Sequence, residues 1–288
     1  MDKLQALISK LQKKRLKVKT RKRGMHKGSR QSHKFGSSME FSDFRMYQPG
    51  DDVRQIDWNV YGRTGKHYIK RFLDEQELSI AIYLDQSSSM RKIDEKWELA
   101  KQVAAALSYI VLNNEDRLFF SPVSSAVVEP VRRKGSVYAK KTFLEIMQLE
   151  EARMTGDFFK NLAMTISKKQ QLSIIITDGL EPLEGIEDLL KKMASFKQEI
   201  WFIQVLSMEE YTPPYEGDMR LIDSETESAV NVSMNKAIVA SYIKRLKEHN
   251  QQLETMTTKY GGQYVLVTDQ SDAQSVLFRD FSGNGLII

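Results

Sequence analysis

The sequence contains no cysteine and no long hydrophobic run, and both absences narrow what this chain of 288 residues can be. Without cysteine there is no disulfide, no thiolate metal site and no cysteine nucleophile, and a reducing compartment is compatible with this composition. No apolar stretch approaches the ~20 residues that a membrane-spanning helix requires. The N-terminus also lacks the apolar core of a signal peptide. These features predict a cytoplasmic protein.

Histidine is scarce, and the common catalytic and nucleotide-binding motifs are missing. The four histidines, His26, His33, His67 and His249, do not show the paired spacing of a zinc-binding helix. No serine stands in a nucleophile elbow, and no GxxxxGKS or GxxxxGKT loop is present. A divalent ion held by carboxylates is the remaining route to catalysis, but no candidate base or phosphate cradle accompanies it. We therefore expect that the chain is not an enzyme.

The positive charge is concentrated at the N-terminus. Residues 1–34 contain thirteen lysines and arginines against one acid, a local net charge of +12, so the overall +5 leaves −7 for the remainder. Apolar residues recur at helical spacing at Leu4, Leu7, Ile8, Leu11 and Val18. This pattern predicts a basic amphipathic helix from Asp2 to Lys19. Its apolar stripe suits docking on the protein itself or on a membrane surface, as a peripheral contact.

Beyond this basic arm, a signature segment precedes a region where strands and helices alternate. Glycines and serines over 24–38 predict a flexible or loop-rich stretch. After it, apolar runs typical of buried strands alternate with helical patterns such as Asp94 to Asn113. We expect an α/β fold with an open, mostly parallel sheet and helices on both faces. A polar hairpin near 218–233 interrupts the series. We divide the chain into 1–24, 25–75 (packed on the body) and 76–288.

Two of the apolar runs end on carboxylates. LSIAIYL precedes Asp85 in DQSSSM, and LSIIIT precedes Asp178 in TDG. Asp85, Ser87 and Ser89 stand at alternate positions of a loop, so their oxygens can turn toward one point and suit Mg²⁺ or Mn²⁺. If both runs are parallel strands, Asp85 and Asp178 meet at the carboxyl edge of the sheet. The pattern predicts a metal site; a serine-rich turn beside an unrelated aspartate is the alternative.

These motifs and the alternation of strands and helices resemble the von Willebrand factor type A family. The resemblance implies a metal-ion-dependent adhesion site, in which a carboxylate from a protein partner completes the coordination of the ion. Its implied ligands here are Asp85, Ser87, Ser89 and Asp178. A threonine from a central loop usually completes the set. Gly156 stands where that threonine is expected and Thr155 lies one place earlier, so Thr155 is the corresponding candidate.

The stretch from about Gly24 to Thr268 is also similar to the bacterial proteins called domain of unknown function 58. PGDD, an arginine and IDW, within MYQPGDDVRQIDW, mark the resemblance. Members are commonly linked with MoxR-type AAA+ ATPases, which implies an adaptor for such an ATPase or its client. The signature residues are Arg45, Asp51, Asp52, Arg54, Asp57, Trp58 and Arg63. They form either a docking face, or an ion-pair and capping network in which Trp58 packs inward.

We therefore interpret the chain as a metal-dependent adaptor between proteins. One alternative is a protein that binds nucleic acid or another anionic surface through the basic arm, with Phe35 and His33 as stacking groups. We favour it less because the arm has no recognised fold and the rest of the chain is acidic. A magnesium-dependent enzyme is the least favoured interpretation.

Overall fold

The computed structural model describes residues 2–19, 27–123, 129–149, 158–222 and 229–288. The strands in these ranges are β1 (Lys27–Met46), β2 (Tyr68–Gln76), β3 (Ser79–Asp85), β4 (Arg117–Val123), β5 (Val131–Lys134), β6 (Leu172–Thr177), β7 (Glu199–Leu206), β8 (Gly217–Ile222), β9 (Ala229–Met234) and β10 (Gln263–Thr268). The helices are α1 (Asp2–Leu11), α2 (Trp58–Thr64), α3 (Ser88–Arg91), α4 (Asp94–Asn113), α5 (Ala139–Met147), α6 (Phe158–Thr165), α7 (Leu183–Ser195), α8 (Met208–Tyr211), α9 (Lys236–Lys259) and α10 (Ala273–Ser275). A π-helical segment, Val276–Phe281, follows α10.

The chain folds into two compact units, Arg23–Leu78 and the larger unit of Met1–Lys22 with Ser79–Ile288. The larger unit contains a six-stranded sheet in the order β10-β7-β6-β3-β4-β5. All neighbours are parallel except β5, which pairs antiparallel with β4. The central neighbours β3 and β6 mark the point where the strand order reverses direction. The prediction of an open, mostly parallel sheet, as in the von Willebrand factor type A fold, is confirmed.

Helices cover both faces of this sheet because its strands are apolar on both sides. In β3, Ala81 and Tyr83 lie in a core cluster with residues of α6, α7 and α9. The alternate residues Ile80 and Ile82 are equally buried, and by the alternation of a strand they point to the opposite face, where α4 contacts β3. Alanines in α4 let that helix approach closely, and it is buried around most of its surface.

The smaller unit is built on the antiparallel pair β1 and β2, whose register shifts at several points. The expectation of a loop-rich stretch is therefore wrong over 27–38, where irregular pairing accommodates the glycines and serines. Helix α2 begins at Trp58. Asp57 caps it by accepting from the Asn59 and Val60 amides, while Asp52 caps the preceding 3₁₀ turn. Packing of 25–75 on the body stays a prediction.

The basic arm is docked on the larger unit over the residues described. The helix ends at Leu11 rather than Lys19, because the following residues pair with the C-terminus: Leu16 bridges Ile287, and Lys17 N–H donates to the Leu286 carbonyl at 2.8 Å. Leu11 and Leu16 are buried. The apolar stripe was expected to dock either on the protein itself or on a membrane surface, and the structure shows docking on the protein.

The polar hairpin forms a separate two-stranded sheet of β8 and β9, which pair antiparallel. The edge strand β5 of the six-stranded sheet is short, Val131–Lys134. The helical segments after β10 were not predicted. None of the helices in the described ranges combines the length and the hydropathy needed to cross a membrane.

Candidate metal centre

The two aspartates that end apolar runs lie at the carboxyl edge of the sheet, beside the reversal of strand order. Asp85 is the last residue of β3, and Asp178 directly follows β6, the strand that pairs with β3. Open α/β sheets place their ligand sites at such a point, because the loops leaving the two strands diverge there and leave a crevice. The predicted meeting of these two strand ends is thus what the sheet topology produces.

Asp85 is almost completely buried and is held on both carboxylate oxygens. Oδ1 accepts from the Ser87 amide at 2.8 Å, and Oδ2 accepts from the Thr177 hydroxyl at 2.6 Å. Burial, with a further contribution from the charge of Asp178, raises the pKa of Asp85 to about 7 despite these two hydrogen bonds. A carboxylate with a raised pKa beside a second carboxylate is a place where a cation is stabilising.

The serine hydroxyls of the first loop lie side by side. Ser87 Oγ and Ser89 Oγ are 3.0 Å apart, within hydrogen-bonding distance. Two oxygens bound next to each other on an octahedral Mg²⁺, each at 2.0–2.1 Å from the ion, are also about 3 Å apart. The start of α3 at Ser88 fixes both serines on one short turn. The spacing therefore fits a pair of neighbouring metal ligands.

Asp178 is held by a buried lysine that the sequence analysis did not identify. Lys96 Nζ donates to Asp178 Oδ2 at 3.1 Å and to Glu210 Oε1 at 2.8 Å. Burial lowers the pKa of Lys96, but the charges of Asp178 and Glu210 outweigh it, so the pKa lies above its ordinary value. The positively charged ammonium group of Lys96 is therefore already present at one side of the predicted metal site.

The loop that presents Asp178 is fixed from beneath by α9 and β7. Gln204 Nε2 donates to the Asp178 carbonyl at 2.7 Å and to Asn250 Oδ1 at 3.0 Å. Gly179 has φ +63°, and a Cβ there would meet the rings and methyls of Phe202 and Leu253 at 3.2 Å. A side chain in place of this glycine would therefore be strained in its backbone conformation and crowded by these two neighbours.

The donor set suits a hard divalent ion only if the hydroxyls take part. Within the described part of the chain, no three Asp, Glu, His or Cys side chains converge as a metal-ligand set. Two carboxylates and two serine hydroxyls remain, and oxygen ligands of this kind match Mg²⁺ or Mn²⁺. Thr155, Gly156 and the neighbouring Asp157 lie outside the described residues. The metal ligands therefore stay predictions whose chemistry fits.

The charged signature residues of the smaller unit pair mainly with one another. Arg45 donates to Asp51 through both terminal nitrogens, at 2.8 and 2.5 Å, and Arg54 pairs with Asp52. Lys70 Nζ lies 3.0 Å from Asp57 Oδ2, and this bond holds the pKa of Asp57 below its ordinary value. These contacts are the ion-pair and capping network considered for the signature. Arg63 is outside it and donates from Nε to the Asn59 carbonyl at 3.3 Å.

Trp58 does not pack inward as that network implied. Its side chain is 61% exposed, in contact edge-on with Tyr61 at a ring-centroid distance of 5.9 Å. Tyr61 in turn stacks on His67 at 4.4 Å. The network orients α2 so that these rings face outward.

Lys96, Thr177 and Glu210 belong to the site and were missed. Lys96 stands four residues before Ala100 and so falls on the buried stripe of α4, a spacing visible in the sequence. Thr177 directly precedes Asp178. Nothing in the sequence indicates Glu210. It is separated from Lys96 by 114 positions in the chain, and the fold brings the two side chains together.

A six-stranded open sheet of this order, parallel except for one edge strand and covered by helices, gives the larger unit a von Willebrand factor type A-like fold. The chain belongs to the family described as "Protein of unknown function DUF58", whose model matches residues 43–252. It is 26% identical over 226 residues to uncharacterized proteins of Mycobacterium bovis and Mycobacterium tuberculosis, which covers 74% of this chain and 69% of theirs.

Solved structures also show similarity. The conserved hypothetical protein BatB from Bacteroides thetaiotaomicron is 16% identical with a TM-score of 0.40, covering 72% of this chain and 98% of that one. The SpRpn10 VWA domain is 11% identical with a TM-score of 0.40, covering 71% of this chain and 95% of that one. Similarity at this level carries no information about function.

Proposed function

We propose that this protein is an adaptor that binds a carboxylate of a partner protein through a divalent ion, Mg²⁺ or Mn²⁺. Asp85, Ser87, Ser89 and Asp178 would hold the ion, and Thr155 is a further candidate. The observation behind the proposal is the meeting of two strand-end carboxylates and two hydroxyls at the reversal point of the sheet. An ion held partly by neutral hydroxyls keeps positive charge and attracts one more anionic ligand.

A MoxR-type AAA+ ATPase or its client is the partner we propose, on the basis of the family resemblance. Such analogy identifies a class of partner, and the residues alone do not name it. The site supplies no chemical step of its own in this proposal. Its ion binds and orients a carboxylate, and the described residues around it act as ligands and supports.

Binding of nucleic acid or anionic surfaces through the arm is the weaker alternative. Ile8 and Leu11 of α1 and Leu16 after it are buried, so these three side chains are not available for insertion into a membrane surface. The exposed lysines of the arm could still attract anions by charge alone. Such binding weakens steeply between low and moderate salt, whereas binding through an ion depends on chelators.

Titration of Mg²⁺ into the wild type and the Asp85→Asn variant tests the ion site. Asparagine keeps the shape and one acceptor oxygen for Thr177 but removes the ligand charge. We expect the affinity of the variant for Mg²⁺ to fall at least about tenfold, as loss of one charged ligand does. Asp116→Asn is the matched control, since Asp116 is equally buried but precedes β4 at the opposite edge of the sheet.

Binding to a purified MoxR-type ATPase from the same cell, with and without EDTA, tests the partner. We expect complex formation with Mg²⁺ and none with EDTA or with Asp85→Asn. The metal site would be refuted if Mg²⁺ gave equal heats of binding with the wild type and Asp85→Asn. It would also be refuted if neither protein gave a heat of binding at millimolar Mg²⁺.

A further inference from the structure

Lys96 is completely enclosed beside the proposed ion site. It is the third residue of α4 and is 0% exposed. Its ammonium donates to the Ser89 carbonyl at 3.2 Å, to Asp178 Oδ2 at 3.1 Å and to Glu210 Oε1 at 2.8 Å. Three acceptors match the three N–H donors of an ammonium group. The side chain therefore links the first loop, the second loop and α8 through a single charge.

When all three neighbouring carboxylates are ionised, the charges around Lys96 do not balance without another cation. Asp85, Asp178 and Glu210 supply three negative charges when ionised, and Lys96 supplies one positive charge, which leaves −2. Arg91 is also buried here, but it donates to the Gln86 carbonyl at 2.8 Å and makes no ion pair with these three carboxylates. Uncompensated charge is costly in a buried cluster. A divalent ion matches what remains.

We propose that Lys96 is a resident cation that fixes the charge of the site at −2 and thereby selects a divalent ion. Lys96 is a positioning residue: it holds Asp178 and Glu210 and does not touch the ion itself. The inference rests on the proposed ion site. It extends that proposal by stating which ion charge the site selects.

Lys96→Met separates this role from simple support of the fold. Methionine keeps an unbranched chain of similar length but leaves the site at −3. Attraction for every cation then rises in proportion to the charge of that cation. The affinity for a trivalent ion relative to a divalent ion should therefore increase at least about tenfold. If Lys96 only supported the fold, both affinities would fall by similar factors and their ratio would stay constant.

Titrations with Tb³⁺ and Mn²⁺ as probes measure this ratio directly. Lys96→Arg keeps the positive charge and should keep the wild-type ratio. Lys101→Met is the matched control: Lys101 lies on the same helix, is nearly as buried and pairs with Glu98 instead. It should leave the ratio unchanged even if it lowers the Tm.

A charge-balanced double variant keeps the test decisive if Lys96→Met fails to fold. Lys96→Met with Glu210→Gln returns the cluster to −2 and removes one of the two carboxylates that lose their ion pair with Lys96. Glutamine also serves at this position of the capping box that Glu210 forms with Ser207. The double variant should regain the wild-type ratio of Tb³⁺ to Mn²⁺ affinity, whereas Glu210→Gln alone, at −1, should shift it toward Mn²⁺.

The outcomes separate this inference from the proposed function. If the wild type binds Mn²⁺ and the ratio does not move in any charge variant, the role of Lys96 is overturned while the ion site stands. If the wild type binds no ion, the proposed function fails. In that case the inference fails as well, and Mn²⁺ binding by Lys96→Met would show that the lysine replaces the ion instead of selecting it.

Discussion

At the scale of single residues, Asp85 shows how the sheet controls the charge of a functional group. Its carboxylate lies among buried apolar strands, and its hydrogen bonds from Ser87 and Thr177 only partly replace water. The neutral form is therefore favoured up to about pH 7 in the absence of a metal ion. A bound divalent ion would reverse this preference, because it stabilises the ionised form.

This charge state predicts how stability changes with pH when EDTA removes metal ions. Unfolded, Asp85 titrates near its ordinary value of about 3.9, so between about pH 4 and pH 7 the folded protein binds more protons than the unfolded one. The contribution of Asp85 to the free energy of unfolding should therefore decrease as pH rises, on the order of 1 to 4 kcal/mol. Urea unfolding at pH 5 and pH 7.5 measures it.

Asp85→Asn provides the control for this pH dependence, because asparagine does not titrate. The variant should lose less stability than the wild type over the same interval. An identical decline in both proteins would show that other groups cause it.

The two aspartates of the site could be predicted from the sequence, whereas Lys96 could not. The difference has a physical reason. An apolar run that ends in a polar residue defines a strand and its carboxyl end, so Asp85 and Asp178 can be placed before the fold is known. Lysine is normally solvated, and its burial becomes favourable only when carboxylates from distant segments meet it. Glu210 is such a partner, and no local pattern marks it.

At the scale of elements, α2 is a short helix with most of its surface exposed. Its position is fixed by the Asp57 cap and the bond from Lys70 to that residue, not by burial of its aromatic side chains. The charged residues of the signature thus take part in ion pairs and caps, while Trp58 is exposed. The alternative in which Trp58 packs inward followed from the core area that large aromatic residues usually contribute.

Alanine substitution distinguishes a packed tryptophan from an exposed one. Trp58→Ala should change the free energy of unfolding by less than about 0.5 kcal/mol, as surface substitutions usually do. Ile69→Ala, in the neighbouring strand β2, should cost about 2–5 kcal/mol because Ile69 is buried. Chemical denaturation of both variants is the measurement. A large loss of stability from Trp58→Ala would mean that the ring is packed in solution.

The elements that sequence analysis misplaced share one cause. β1 contains glycines and serines that are typical of loops, but pairing with β2 satisfies its backbone groups regardless of these residues. The helix of the arm stops at Leu11 because Leu16 finds a strand-like partner at the other end of the chain. In both cases a tertiary contact overrides the local pattern, whereas the long apolar strands of the central sheet were predictable.

At the scale of the whole molecule, the two ends of the chain stabilise each other. Arg15 and Ile288 exchange two backbone hydrogen bonds of 2.9 Å, and the next residue, Leu16, bridges Ile287 and is buried. We expect Leu16→Ala to lower the free energy of unfolding by about 2–5 kcal/mol. Lys13→Gln, an exposed substitution in the same arm, should stay within about 0.5 kcal/mol of the wild type. Equal effects of the two in urea unfolding would contradict the docked arrangement.

The docked arm also decides which part of the molecule should bind the partner. Removing the positive charges of Lys10, Lys13 and Lys17 should leave complex formation with the MoxR-type ATPase nearly unchanged, because surface charges act weakly at physiological salt. Asp85→Asn should abolish the same complex, since it removes a ligand of the bridging ion. Both variants are compared at 50 and 200 mM salt. If the arm variant loses the partner and Asp85→Asn keeps it, with a steep fall at higher salt, the ion-mediated adaptor is refuted. Electrostatic attraction by the arm would then account for binding.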